Sequence, residues 1–296
     1  MIKKVVIPSA GLGTRLLPAT KEQPKEMLPI FTRDCDNKLC VKPLLQVVFE
    51  NLHHAGFKEY FFITGRTKRS IEDYFTIDNE FLNYNRNRNN FDSIKELSVF
   101  YEKIRKSHIV FINQPEPKGF GDAVYHAKPF TGNDPFIVHA GDDLIASMDN
   151  GNENSSLLNL VKIFEEKGAA AAFFVQKAKD PSKYGVIVGE KIGSKVYRVK
   201  SVVEKPVVPP SNMAIVAVYA FSPKIYEALE NTVPDKKGEV QLTNAIQLLI
   251  NRGYPVYALE MGETEKRIDI GNPSSYLAAL KFLSRHRQQV KQPILV

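Results

Sequence analysis

The chain opens MIKKVVIPSAGLGTRLLPATKEQPKEMLPI, and this stretch narrows the possible folds more than any other. An apolar run from Lys4 to Pro8 reads as a buried strand and passes directly into a loop containing Gly11 and Gly13. Pro18, Pro24 and Pro29 then forbid a regular helix, because proline lacks the amide N–H and its ring clashes with the preceding turn. A strand followed by GxG could begin a dinucleotide fingerprint, but the third glycine position holds Leu16, and no helix follows to carry a pyrophosphate. A P-loop is excluded as well, since no GxxxxGK[ST] occurs. What remains is an extended glycine loop whose backbone N–H groups can approach a base and phosphates, followed by a rigid arm carrying Arg15 and Lys25. That arrangement suits a phosphate clamp, although a glycine turn with basic neighbours is also a common structural device.

Beyond this segment, short apolar runs alternate with amphipathic ones, which predicts an α/β fold with a mostly parallel sheet covered by helices on both faces. The expected strands are Lys4 to Pro8, Tyr60 to Thr64, Ile109 to Ile112, Pro135 to His139, Ala170 to Val175, Gly185 to Val188, Val196 to Val203, Ile215 to Phe221 and Pro255 to Leu259. Helices are expected over Pro43 to Ala55, Gly121 to Ala127, Ser155 to Lys167, Pro223 to Glu230, Val240 to Asn251 and Pro273 to Arg285. In the third of these, Leu157, Leu158, Val161 and Phe164 share a face and Gly168 supplies a stop. The Asn-rich piece NYNRNRNNFD is polar enough to be a mobile surface excursion. The simplest division is one domain over 1–296, with roughly 222–296 a helical C-terminal appendage.

The formal charge of +7 suits an anionic partner. Lys and Arg are scattered, with modest clustering at Asn83 to Lys106 and Ser284 to Lys291, so a small phosphate ligand fits better than nucleic acid. No run of about 18 apolar residues occurs, and the first residues form a strand rather than a leader, so a cytoplasmic protein with no membrane partner is expected. Cys35 and Cys40 share one loop without the further ligands a zinc site needs, which makes free thiols the default. His53 and His54 have no paired ligand partner and receive no role. Glu239 reads as an acid favoured by a helix N-terminus, and Tyr184 as a stacking or core ring.

The segment GLGTRLLPATKEQPKEMLPI resembles the signature GxGTRLxPxTxxxPKxMLPI of the sugar-1-phosphate nucleotidyltransferases, and in particular their UTP:glucose-1-phosphate uridylyltransferase branch. The resemblance implies a three-layer α/β/α Rossmann-like fold with a mostly parallel mixed sheet. It implies that Ala10, Gly11 and Gly13 line the nucleotide, that Arg15 contacts the β and γ phosphates, and that Lys25 sits beside the reacting phosphate. Further matching segments follow in order along residues 1 to 280. NQPEPKGFGDAV is similar to the family segment that reads uracil, giving Gln114 at the base edge and Gly119 against the ring. FIVHAGDDLI supplies the metal-binding Asp142, with Asp143 a neighbour. YGVI gives Gly185 at the sugar, VVEKP gives Glu204 for sugar hydroxyls and Lys205 for phosphate, and RIDIGNP gives the second metal acid, Asp269. PSNMAIVAVYAF and GEVQLTNAIQLLI are similar to segments of the uridylyltransferase branch. Two departures stand out: Thr32 to Val41 is longer than the usual link, and Asp122 stands where bacterial members often have His.

The implied reaction is uridylyl transfer from UTP to glucose 1-phosphate, with Mg²⁺ as cofactor and a homodimer or homotetramer as the assembly. A thymidylyltransferase or a dual UTP/dTTP enzyme is the alternative within the class, and a non-catalytic sugar-nucleotide-binding module the alternative outside it. The chemistry is consistent with the absence of a Ser-His-Asp or Cys-His set. A sugar phosphate, with a second pKa of about 6, is already an anionic nucleophile at neutral pH. Such a reaction needs alignment, fixed cations and a metal more than a general base. Two carboxylates completed by phosphate oxygens and waters suit Mg²⁺.

Overall fold

The computed structural model describes residues 2–147 and 155–288. Among these residues the strands are β1 (Lys4–Pro8), β2 (Pro29–Arg33), β3 (Leu39–Pro43), β4 (Glu59–Thr64), β5 (His108–Asn113), β6 (Phe136–His139), β7 (Asp143–Ser147), β8 (Ala171–Lys177), β9 (Gly185–Lys191), β10 (Val196–Glu204), β11 (Met213–Phe221), β12 (Val256–Glu260) and β13 (Glu265–Asp269). Nine of them form one sheet in the order β5-β4-β1-β6-β11-β8-β12-β10-β9. The β5-β4-β1-β6 and β8-β12 pairings are parallel, and only β11 and β10 run against the rest. This is the expected mixed, mostly parallel sheet.

Strand β1 shows why the sheet has two cores. Side chains alternate across a strand, so Val5 and Ile7 enter one hydrophobic cluster while Val6 enters the other. All three are fully buried, and each contributes about 1.5–3 kcal/mol by leaving water. On the first face, the helices Leu44–His54, Ser155–Glu166 and Pro273–Gln288 bury Leu45, Val48, Leu160, Phe164 and Leu283. On the second face, Phe120–Tyr125, Lys224–Glu230 and Leu242–Asn251 bury Val124, Ile225, Ile246 and Leu249. The result is a three-layer α/β/α arrangement.

Three stretches take shapes beyond the sequence reading. Within 222–288, the described part of the stretch expected as a helical C-terminal appendage, β12 lies inside the main sheet between β8 and β10. The Asn-rich piece forms the end of one helix, Asn79–Arg86, and the start of another, Phe91–Arg105, joined by a short turn. Asp78 starts the first by accepting a hydrogen bond from the Phe81 N–H at 2.8 Å, and Leu82 is buried beneath its polar surface. The extra residues Thr32 to Val41 make up most of a β2–β3 hairpin. Its turn is built on Asp34, whose carboxylate accepts from the Asp36 and Lys38 N–H groups. Tyr276 of the last helix fastens the hairpin by donating to the Pro29 carbonyl at 2.8 Å.

Of the basic cluster Ser284 to Lys291, residues 289–291 lie outside the described residues. Among the described residues, no helix is long and apolar enough to cross a membrane.

Candidate active site

A cleft of about 430 Å³ opens at the carboxyl end of β1, where open α/β sheets bind ligands. Ala10, Gly11, Gly13, Arg15, Lys25, Gln114, Gly119, Asp142 and Lys205 all line it, although they come from five separate stretches of chain. The proline spacing does what the sequence predicts: no α-helix follows the glycine loop, only single 3₁₀ turns at Thr14–Leu16 and Lys25–Met27. Gly13 precedes the first turn with φ of +65°, a conformation costly for other residues, and its carbonyl accepts a 2.7 Å hydrogen bond from the Thr20 hydroxyl. The turn delivers Arg15 to the cleft and the second delivers Lys25.

Asp142 sits between β6 and β7, with a carboxylate oxygen 2.5 Å from the Lys25 Nζ. Burial alone would push Lys25 down, but Asp142 and then Glu26 outweigh it and hold the ammonium above the ordinary lysine value. Burial likewise opposes the Asp142 carboxylate, yet Lys25 and then Arg267 keep it below the usual range. Both groups are therefore charged at neutral pH. Beneath them lies a second ion pair, Glu26 with Lys68 at 2.8 Å, from which water is excluded.

The β7–β13 pairing places Asp269 directly across from Asp143, one residue from Asp142. Asp269 does not line the cleft itself. Its carboxylate accepts from the Gly271 N–H at 2.7 Å, and Gly271 is also where the Arg15 guanidinium packs: a Cβ added there would lie 2.8 Å from Asp269 Oδ1 and 3.2 Å from Arg15 Nη2. Asp143 is committed elsewhere. Both of its oxygens accept from Arg267, at 2.7–3.0 Å, and that guanidinium lies 5.1 Å from the centre of the Tyr184 ring. Among the described residues no cluster of three or more His, Cys, Asp or Glu could enclose a metal. Asp142 and Asp269 are hard oxygen donors at neighbouring positions. Such a pair fits a divalent cation that takes its remaining ligands from phosphate and water rather than one caged by protein.

On the opposite wall, Gly119 adopts φ of +102°, and a Cβ there would lie 2.9 Å from both the N and O of Val240. The approach is fixed by hydrogen bonds from Val240 N–H to the Lys118 carbonyl and from Gly121 N–H to the Val240 carbonyl. Those bonds draw Glu239 and Gln241 into the cleft wall. Glu239, read from the sequence as a structural helix-start acid, thus lines the site, and Gln241 was not anticipated. Their alternate spacing in GEVQLT, with side chains on one side of an extended segment, was the available signal.

Lys205 follows β10 with φ of +40°, an unusual value for a non-glycine residue, and its N–H donates to the Tyr184 carbonyl at 3.1 Å. Its ammonium pairs with Glu204 at 2.9 Å, and the other Glu204 oxygen accepts from the Thr243 hydroxyl at 2.7 Å. Gly185 lies directly across from Glu204 in the β9–β10 pairing. Glu204 and Lys205 face an adjoining cavity of about 650 Å³, which shares Lys205, Glu239 and Gln241 with the first cleft. Gly185 and Glu204 are therefore set beside the nucleotide-sized cleft rather than in it. Arg267 and its contacts with Asp143 and Tyr184 were also not foreseen, because the RIDIG motif drew attention only to its Asp.

A glycine loop, three cations and paired acids at the carboxyl edge of an open α/β sheet define a protein that binds phosphate-bearing ligands. Residues 4–286 match the sequence profile of the nucleotidyl transferase family, and the chain belongs to that family. It is 37% identical over 285 residues to a UTP–glucose-1-phosphate uridylyltransferase of Pseudomonas aeruginosa, covering 95% of this chain and 96% of that protein. It is also similar to a crystal structure of apo UDP-glucose pyrophosphorylase, with a TM-score of 0.85, 34% identity, and coverage of 97% of this chain and 100% of the other. A UDP-glucose pyrophosphorylase complexed with UDP-glucose matches with a TM-score of 0.82 and 34% identity, covering 96% of this chain and 99% of that one.

Proposed function

We propose that the protein transfers the uridylyl group of UTP to glucose 1-phosphate, yielding UDP-glucose and pyrophosphate. The observation that carries this reading is the convergence of Gln114 and Gly119, the glycine loop, Arg15, Lys25, Asp142 and Lys205 on one cleft, in a chain similar to uridylyltransferases along its whole length. Gln114 and Gly119 hold the base, Gly11 and Gly13 let the triphosphate approach the backbone, and Arg15 and Lys25 neutralise it. Lys205 faces both cavities and is placed to bridge the sugar phosphate to the α-phosphate, while Glu204 and Gly185 receive the sugar.

The phosphate oxygen of glucose 1-phosphate attacks the α-phosphorus, and the bond to the pyrophosphate oxygen breaks. That oxygen is anionic at neutral pH, so no side chain removes a proton. Holding the two polyanions in line contributes about 7–11 kcal/mol to the rate acceleration. Lys25 pairs with Asp142 and Lys205 with Glu204, and a triphosphate would compete with those carboxylates for them. Asp142 and Asp269 would hold Mg²⁺, which when bound neutralises charge on the reacting phosphates. The reading extends to a cytoplasmic homodimer or homotetramer, on the strength of the family resemblance.

The test is pyrophosphate release across UTP, dTTP, CTP, GTP and ATP against glucose, galactose, mannose and N-acetylglucosamine 1-phosphates, with and without Mg²⁺. Release with UTP and glucose 1-phosphate, lost when EDTA is added, is expected; dTTP turnover at a kcat/KM near that of UTP would make the enzyme dual. No release by folded protein with any pair would favour the binding-module alternative.

A further inference from the structure

Asp122 lies in the short helix Phe120–Tyr125 on the base side of the site, and the structure gives it a partner. Gln114 follows β5, is buried, and its side-chain Nε2 is 2.6 Å from Asp122 Oδ2 and 3.2 Å from the Gly119 carbonyl. An amide nitrogen carries two hydrogens, so these two contacts consume both. The orientation is dictated by chemistry. A carboxylate and a backbone carbonyl are both acceptors, and turning the amide over would set its oxygen against each of them. The Gln114 Oε1 is given no donor among the described residues and belongs to a side chain lining the cleft.

We infer that Asp122 is a positioning residue for base selection: together with the Gly119 carbonyl it locks Gln114 so that this side chain offers the base an acceptor and no donor. This deepens the reading of the site as a UTP site and rests on it. A fixed acceptor selects a pyrimidine with an N–H at position 3, which uracil and thymine carry and cytosine does not. The 4-keto oxygen is left unread by Gln114, because both amide hydrogens are spent. The base is therefore read by Gln114 through one hydrogen bond rather than two.

Two sets of measurements test this. First, titration calorimetry compares UTP, CTP, 3-methyl-UTP and 4-thio-UTP on the wild-type protein and on Gln114→Ala. The wild type should bind UTP about 10- to 100-fold more tightly than CTP or 3-methyl-UTP. Gln114→Ala should erase most of that preference while leaving the ratio of UTP to 4-thio-UTP unchanged, since sulfur is a poor acceptor and Gln114 donates nothing to that position. A 4-thio penalty present in the wild type and absent in Gln114→Ala would overturn the inference, as would equal binding of UTP and CTP.

Second, Asp122→Ala should lower the preference for UTP over CTP by about 10-fold, expressed in KM rather than kcat, and should have no further effect on it in the Gln114→Ala background. Asp122→Leu, which keeps the approximate volume and offers no acceptor, repeats the measurement should the alanine variant fold poorly. An unchanged preference in folded Asp122→Ala and Asp122→Leu would refute the positioning role. Failure of folded wild-type protein to bind any of the four nucleotides would remove the underlying UTP reading, an outcome distinct from binding without discrimination.

Discussion

The ion pair under the phosphate arm offers a quantitative test of how the site is held. Glu26 is 1% exposed and Lys68 2% exposed, with 2.8 Å between them, so each charge depends on the other for its stabilisation. The pair ties the turn that carries Lys25 to the start of the helix Arg69–Tyr74. Burial pushes the Glu26 carboxyl up, an effect that Lys68 and Lys25 only partly offset. Lys68→Met leaves a carboxylate without its partner, and Glu26→Gln leaves an ammonium without one. Each should cost about 3–5 kcal/mol, because removing one member of a buried pair exposes the full desolvation penalty of the other. At this chain length, that corresponds to a fall in Tm of roughly 5–8 °C. Replacing both, as Glu26→Leu with Lys68→Met, removes the penalty along with the attraction and should return the protein to within about 1–2 kcal/mol of wild type. Urea unfolding of the four proteins reads the coupling, and the KM for UTP reports whether Lys25 has moved. Single variants within about 1 kcal/mol of wild type, or a double variant as weak as the sum of the singles, would refute this reasoning.

Three further outcomes are expected. Asp142→Asn should keep the fold by circular dichroism but lose about 100-fold or more in kcat, since it removes both the charge facing Lys25 and a proposed metal ligand. His139 is buried, its Nδ1–H donates to the Ala140 carbonyl, and burial pushes its pKa down to about 4. The unfolded chain protonates first as the pH falls below about 6.5, so this residue's contribution is intact above that pH and is lost towards pH 4, amounting to about 3 kcal/mol; a urea midpoint in His139→Phe should depend less on pH over that window. Cys40, pushed up to about 11 mainly by burial, should resist alkylation at pH 8, whereas exposed Cys35 should be labelled first by mass spectrometry.

The parts of the fold legible in the sequence are those whose burial is continuous. Strands β1, β4, β6, β8, β11 and β12 of the main sheet stand out as apolar runs because they are buried almost throughout, as the unbroken burial of Val5, Val6 and Ile7 illustrates. The β2–β3 hairpin and β13 escaped because they are only partly buried and carry Arg33, Lys42, Lys266 and Arg267 among their apolar residues. The helix Asn79–Arg86 was hidden by its Asn content, its only buried residue being Leu82.

At the site, the glycine loop with Arg15 and Lys25 could be read locally, since glycine, proline and cation spacing are properties of one segment. Glu239, Gln241 and Arg267 could not be placed in the same way, because each depends on where distant segments meet, while the Asp122–Gln114 contact spans eight residues and depends on how the loop between them closes. Val240 pairing with the 118–121 loop is such a meeting, joining residues more than a hundred positions apart.

The most direct measurement of the central claim is a ³¹P NMR time course of the protein with Mg²⁺, UTP and glucose 1-phosphate. The diphosphodiester resonances of UDP-glucose and the signal of pyrophosphate should grow in equal amounts as both substrates fall, and neither should grow in EDTA. Release of UMP or inorganic phosphate without UDP-glucose, or unchanged spectra from folded protein, would contradict it.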